Sequence, residues 1–390
     1  MDPDGPIDVP ASLLQDPGVD LLSTYWPTAL ALLLTTAAVM LAVRSACRRN
    51  GRQRSRRVLS ATGWGVLGSM CLVVALAFGV NTWVGYFPSV ATFSRWMDDK
   101  VREPVTDFPQ TAVSAPSGAT PTGENPERVT TDDRGYSFLA AVPSSTEKVP
   151  DTGAWVYLPP GYDKAGNTDR YPVIYVLHGS PGSAADWFAG GRIDYLLDTL
   201  INNGSIPPAI VVSPDLNASV DRVEEEPLDI PDGPKLETFV TKDVVTWADT
   251  NFRTRADAEH RVVAGMSSGG LASLLYGLHH PDLFGGVISI MPYATPYTPR
   301  IVANPEAKTH NSPLEVIAAR NGATPQKIFM GQGDGESTVE ATQIRDALRG
   351  QGQTTTLRVL PGLAHNWTTA RTVMPYGLLW AATQLGWETP

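Results

Sequence analysis

The segment Gly265-Met266-Ser267-Ser268-Gly269 limits the possible folds of this chain more than any other. Before it, Arg261-Val262-Val263-Ala264 reads as a short buried strand. After it, the run from Gly270 through Leu271, Ala272, Leu274 and Leu275 to Leu278 reads as a helix. A Gly-x-Ser-x-Gly turn between strand and helix pushes the serine hydroxyl out at the top of a sheet. The flanking glycines leave space where a side chain would strike neighbouring backbone. That geometry suits a nucleophile. The plainer reading is a Gly/Ser-rich turn in a chain with 35 glycines, so the partners must be found elsewhere in the sequence.

Around this turn, strand-like runs occur at Tyr136–Val142, Ala154–Leu158, Pro172–Leu177 and Ala209–Ser213. They continue at Arg261–Ala264, Val287–Ile290, Lys327–Met330 and Thr355–Leu360. Helical patterns fall at Asp194–Asn202, Leu236–Asn251, Gly269–Leu278, Thr338–Arg349 and Thr369–Leu385. This alternation predicts an α/β domain, a mostly parallel sheet with helices on both faces. Ligands of such sheets bind beyond the carboxyl ends of the strands, where Ser267 falls.

A serine hydroxyl needs a base to take its proton, and the base needs an orienting acid. In α/β-hydrolases the chain order is Ser, then Asp or Glu, then His. Of the six histidines, His365 lies just past the last predicted strand, in Leu363-Ala364-His365-Asn366-Trp367. His279 and His280 end the helix after Ser267 and are placed to favour its dipole. His260 sits at the wrong end of the nucleophile strand, and His310 lies in a long excursion. The acid should follow the penultimate strand, where the chain reads Gly331-Gln332-Gly333-Asp334-Gly335-Glu336. Asp334 is the first carboxylate and the expected partner of His365, with Glu336 in reserve. An ordinary Asp-Gly turn would look the same. The oxyanion donors are expected to be the backbone N–H of Ser268 and, from Leu177-His178-Gly179-Ser180-Pro181-Gly182, that of Ser180. His178 then holds the loop. The scheme calls for no cofactor and no metal, and the two cysteines, Cys47 and Cys71, leave no Cys/His zinc set.

These motifs resemble the esterase-D-like α/β-hydrolases, which include S-formylglutathione hydrolase, enterochelin esterases, feruloyl esterases and the antigen 85 mycolyltransferases. The similarity covers roughly residues 128–390. It is carried by Tyr171-Pro172-Val173-Ile174-Tyr175-Val176-Leu177-His178-Gly179, Asp186-Trp187, the serine pentapeptide with Gly270, His280-Pro281-Asp282-Leu283-Phe284, Gly331-Gln332-Gly333-Asp334 and His365-Asn366-Trp367. The resemblance implies the α/β-hydrolase fold and acyl transfer through Ser267. It says much less about the substrate. In this fold, segments such as Asp221–Pro234, with Glu224, Glu225 and Glu226, and Met291–Gln326, with Tyr293 and Tyr297, cover the site. The glutamates read first as a solvated loop.

The N-terminal third reads differently. Trp26–Val43 carries no charge over 18 residues, about 27 Å of helix, and Val58–Val84 is a second uncharged stretch. Between them lie Arg44, Arg48, Arg49, Arg52, Arg54, Arg56 and Arg57 with no acid. By the positive-inside rule this loop is cytoplasmic and both chain ends face outward. A cleaved signal peptide lacks its positive n-region here, and core helices of a soluble protein rarely flank an arginine block. Without those seven arginines, 23 basic residues face 40 acidic ones. That balance argues against nucleic-acid binding. The expected plan is an outer tail (1–24), a two-helix transmembrane anchor (25–87) with its basic loop (44–57), a Pro/Thr/Ser-rich linker (88–127) and the α/β domain (128–390). The functional expectation is a cell-membrane serine esterase with its domain outside the cytoplasm, acting on a small-molecule or lipid ester. A mycolyltransferase-like acyltransferase and a non-catalytic envelope binding protein are the alternatives. The sequence sets no oligomeric state.

Overall fold

The computed structural model describes residues 2–14, 22, 24–47, 54–90, 92–94, 97, 130–217, 225–320 and 324–388. The chain divides into two compact units, Gln15–Lys100 and a larger one formed by Met1–Leu14 with Val101–Pro390. Most of the expected linker lies outside the described residues.

In the larger unit a single sheet has eight strands: β1 (Tyr136–Val142), β2 (Thr152–Leu158), β3 (Val173–Leu177), β4 (Ile210–Pro214), β5 (Arg261–Met266), β6 (Gly286–Ile290), β7 (Lys327–Gly333) and β8 (Thr354–Leu360). Their order is β1-β2-β4-β3-β5-β6-β7-β8. β2 runs antiparallel to both neighbours, and β3 through β8 are mutually parallel. Every residue of β3, β4, β5 and β6 is buried. Both faces of the central sheet are therefore covered, and this explains why those strands read as unbroken apolar runs. Burying a side chain such as Ile174, Leu177 or Ile288 completely contributes roughly 1.5–3 kcal/mol.

The strand order places the site. β4 lies on one side of β3 and β5 on the other, the kind of switch point beyond whose carboxyl ends ligands of such sheets bind. β3 and β5 are in register up to Leu177 opposite Gly265. The loop beginning at His178 and the turn carrying Ser267 therefore emerge side by side.

The excursion between β6 and β7 is more ordered than the sequence suggests, with helices at Pro299–Val302, Pro305–His310 and Pro313–Ala319. Each begins with proline at its first turn, where the missing N–H costs nothing. Residues 2–14 pack onto the domain. Trp380 Nε1 donates to the Pro3 carbonyl at 2.8 Å, and Arg349 meets the Asp4 carboxylate at 2.7 Å. Thr356 Oγ1 donates to Asp4 at 2.9 Å, Arg358 reaches the Asp4 and Gly5 carbonyls, and Val9 is buried.

The smaller unit is a helical hairpin, Trp26–Cys47 against Arg54–Val84. Its antiparallel register shows in three contacts. Ser45 meets Ser60 at 3.3 Å, a Cβ on Gly68 would touch Ala38 at 3.4 Å, and one on Gly79 would touch Thr28 at 3.6 Å. Small residues let the helices approach closely. Mean hydropathy reaches 1.9 in the first helix and 2.0 over Val58–Val84, and only 11% of each stretch is buried. Leu33, Leu59 and Val73 are among many exposed apolar side chains. That is the reverse of a soluble core helix.

Candidate active site

Ser267 joins β5 to the helix Ser268–His279 with φ 54° and ψ −121°, a conformation costly for a residue with a side chain. Its amide donates to the Ile290 carbonyl at the end of β6 (3.0 Å). The glycines show why the turn can form. A Cβ on Gly265 would stand 2.1 Å from the Gly269 carbonyl oxygen, and one on Gly269 would stand 2.4 Å from the oxygens of Leu177 and His178. The helix start thus wedges between the ends of β3 and β5.

The loop after β3 is held from beneath. His178 is buried, with Nδ1 2.7 Å from the Gly179 carbonyl, and its Nε2 accepts the Leu216 amide at 3.0 Å. An Nε2 that accepts must leave the ring proton on Nδ1, so the backbone dictates the tautomer. Asp186 accepts the Ser183 amide (2.9 Å) and hydroxyl (2.7 Å), and Trp187 Nε1 donates to the Leu177 carbonyl (2.9 Å). Gly179 borders Ser267: a Cβ there would lie 3.4 Å from that of the serine. Ser180 follows Gly179 and Ser268 follows Ser267 in the chain.

On the far side, His365 Nδ1 lies 2.7 Å from Glu336 Oε2. Asp334, the expected partner, is exposed and accepts the Gly362 amide at 2.7 Å. The reason lies in the backbone. The Asp334 amide still bonds to Leu360 at the strand end (3.0 Å), so its side chain closes the turn after β8. One residue on, Gly335 donates to the Leu363 carbonyl at 2.9 Å, and the chain then runs beside the histidine loop to bring Glu336 opposite His365. Gly333 and Gly335 permit this approach, since Cβ atoms there would stand 2.0 and 2.6 Å from the Leu363 oxygen. Asn366 caps the final helix by accepting the Thr369 amide (3.2 Å), and Trp367 packs edge-on against Trp187 at 5.3 Å. The His365 loop is thereby tied to the helix that also holds the end of β3. Among the described residues no hydrogen bond joins Ser267 Oγ to His365. Such contacts often tighten only around substrate.

The remaining histidines are engaged elsewhere. His260 pairs with Asp257 (2.6 Å). His279 and His280 both reach Glu237 Oε1, at 2.8 and 3.0 Å, so an ion-pair cluster adds to their position at the helix end. Burial alone would raise Glu237, but hydrogen bonds from both rings win and hold its carboxyl at about 2. His310 stacks on His279 at 4.2 Å, and Glu237, His279 and His310 offer ligand atoms within 4.8 Å of one another. Both ring nitrogens of His279 are already used, on Glu237 and on the His310 carbonyl.

The glutamate run is not a solvated loop. Glu224 lies outside the described residues, Glu225 pairs with Arg300 at 2.7 Å, and Glu226 is fully buried. Its burial was not visible in a run of three like charges, and only the packing of the Met291–Gln326 excursion reveals it.

Residues 146–368 match the Esterase family. The chain is 30% identical over 226 residues, 55% of its length, to an endo-1,4-beta-xylanase/feruloyl esterase of Xylanibacter ruminicola, spanning 27% of that protein. It is 33% identical over 138 residues, 35% of its length, to an esterase of Mycobacterium tuberculosis, spanning 28% of that one. The chain thus spans roughly a quarter of each of these relatives. Among solved structures, a ferulic acid esterase superposes with a TM-score of 0.57 at 22% identity, covering 65% of this chain and 99% of that one. An S-formylglutathione hydrolase from Agrobacterium tumefaciens gives 0.55 at 20% identity, covering 66% and 98%. With the serine turn, the strand order and the family match in agreement, this chain belongs to the Esterase family and has the α/β-hydrolase fold.

Proposed function

We propose that this protein is a membrane-anchored serine esterase that cleaves a carboxylic ester outside the cytoplasm through an acyl-enzyme on Ser267. The observation that carries the reading is the backbone of Ser267, a non-glycine residue kept at φ 54° by three close-packed strand ends. Strain of this kind persists where the surroundings over-determine it, and here it presents a hydroxyl at the crevice. In the reaction Ser267 Oγ attacks the ester carbonyl while His365 Nε2 takes its proton. Glu336 accepts the Nδ1–H, fixes the tautomer and stabilises the imidazolium. Glu336 thus replaces Asp334 as the proposed acid. The N–H groups of Ser180 and Ser268 receive the oxyanion. His365 then protonates the departing alcohol, and water repeats the sequence to release the acid.

The exposed apolar hairpin supports a two-span anchor, and the arginine loop supports its orientation. Two crossings return the chain to the side it left. The tail 2–14 packing with the catalytic unit is consistent with that.

A fluorophosphonate probe tests the activity. The wild-type protein and Ser268→Ala should be labelled and Ser267→Ala should not. A folded wild-type protein that resists the probe would sink the enzyme reading in favour of a binding protein. Product analysis with an added sugar acceptor then separates hydrolysis from acyl transfer to a hydroxyl.

A further inference from the structure

Glu237, His279 and His310 come from three separate segments: the helical turn Leu236–Thr238, the end of the helix Ser268–His279 and the end of the helix Pro305–His310. Each offers one ligand atom, and the three atoms lie within 4.8 Å of one another. Glu237 is only 4% exposed, and its Oε2 is buried with no hydrogen-bond partner among the described residues. A buried carboxylate oxygen in that state calls for an ion or a water. His279 is prepared from the other side. Its Nε2 lies 3.1 Å from the His310 carbonyl, which can only accept, so Nε2 carries a proton. In the neutral ring the lone pair is then on Nδ1, 2.8 Å from Glu237 Oε1. A ring N–H held by a backbone carbonyl is the arrangement that orients metal-binding histidines. The His310 ring stacks on His279 at 4.2 Å, and no hydrogen bond among the described residues engages its nitrogens.

We propose that Glu237, His279 and His310 bind a divalent transition-metal ion, Zn²⁺ by preference, which ties the excursion between β6 and β7 to the helix that follows Ser267. Two imidazoles and a carboxylate suit Zn²⁺, whereas Ca²⁺ and Mg²⁺ want oxygen ligands. Tetrahedral ligand atoms about 2.0–2.2 Å from zinc stand roughly 3.4 Å apart, so the three atoms must close by less than about 1.5 Å. His310 is exposed and free to turn inward, and water completes the fourth position. In the metal-free protein Glu237 Oε1 also meets His280 Nε2 at 3.0 Å, and that bond stays. Zn²⁺ takes the place of the proton between His279 Nδ1 and Glu237, and the proton leaves to solvent. The ligands are 42 and 31 residues apart along the chain, so the ion joins segments that meet only in the folded state and stabilises that state. Twelve helical residues at about 1.5 Å each set His279 roughly 18 Å from Ser267. The ion therefore takes no part in acyl transfer, and the proposal stands apart from the Ser267 reading.

The test uses the full chain in detergent, purified without a histidine tag and stripped of metal by a chelator. It is titrated with ZnCl₂ in a calorimeter and with CoCl₂ in a spectrophotometer. One Zn²⁺ should bind per chain and raise the unfolding temperature by roughly 5 °C at a hundredfold excess over Kd, with fluorophosphonate labelling unchanged. Co²⁺ should give the strong visible absorption of a four-coordinate site. His310→Ala removes an exposed side chain and should keep the fold. It should weaken Zn²⁺ binding by at least about 10–100-fold, the range that even outer-shell partners command, and abolish the Co²⁺ band. His260→Ala, away from the cluster, should change neither. Binding of equal strength in His310→Ala overturns the proposal. So does a wild-type protein that takes up no Zn²⁺, or a Zn²⁺ effect confined to labelling, which would put the ion at His365.

Discussion

A methyl group at position 269 would stand 2.4 Å from two carbonyl oxygens, and no flexible side chain is there to yield. Gly269→Ala is therefore expected to destabilise the domain by about 3 kcal/mol or more and to slow fluorophosphonate labelling. Both can be followed by thermal unfolding and labelling kinetics. Gly350→Ala, with open space around its Cβ position, is the control and should leave both unchanged. The two acids past β7 give a sharper comparison. Glu336→Gln removes the acceptor 2.7 Å from His365 Nδ1 and should cut kcat by about 10²–10⁴-fold. Asp334→Asn should leave kcat close to wild type, because Asp334 serves the Gly362 amide. The reverse result from steady-state kinetics would return the role to Asp334. In the sequence both were visible and only their order favoured Asp334. The choice depended on where Gly333 and Gly335 let the chain touch Leu363.

Among the elements, the helix Ser268–His279 links chemistry to stability. Its first turn follows Ser267, the proposed nucleophile, and its far end meets Glu237 through His279 and, one residue on, His280. Hydrogen bonding to Glu237 outweighs burial and raises His280, with Asp282 and Asp229 adding to the rise. A raised histidine stabilises the fold fully below its unfolded value near 6.5 and loses that contribution as pH climbs through the folded value. His280→Gln should therefore lower the unfolding temperature at pH 6, and the gap should close toward pH 9. Glu237 has the opposite sign. Held at about 2 against an ordinary 4.5, it stabilises above 4.5 and fades as pH falls toward 2. The difference between wild type and Glu237→Gln should shrink over that interval. The eight strands were legible as elements because their apolar runs are short and bounded by turns. The three helices of the excursion were not, since their proline-led turns resemble loop punctuation.

The whole molecule poses a question of sides. If the anchor is oriented by its arginine loop, a membrane-impermeant maleimide should label Lys164→Cys and Asp8→Cys in intact cells. Cys47, within that loop, should react only after permeabilisation. Labelling of Cys47 alone in intact cells would invert the arrangement. The tail adds little energy through its exposed Asp4–Arg349 pair, at most about 1 kcal/mol. Its significance is positional, since it gathers residues 2–14 into the same unit as the domain.

Local chemistry was enough to determine the serine turn, the alternation of strands and helices, the arginine-split apolar stretches and the histidine past the last strand. Each depends on neighbours within a few residues: glycine space at the turn, side-chain period in the elements, charge along a helix. The tertiary structure decided which carboxylate meets His365, that Glu226 is buried instead of solvated, and that the N-terminal tail joins the domain. These are contacts between segments from about 30 to 380 residues apart. No spacing along the chain encodes them, because they follow from how the sheet edge, the excursion and the final helix pack together.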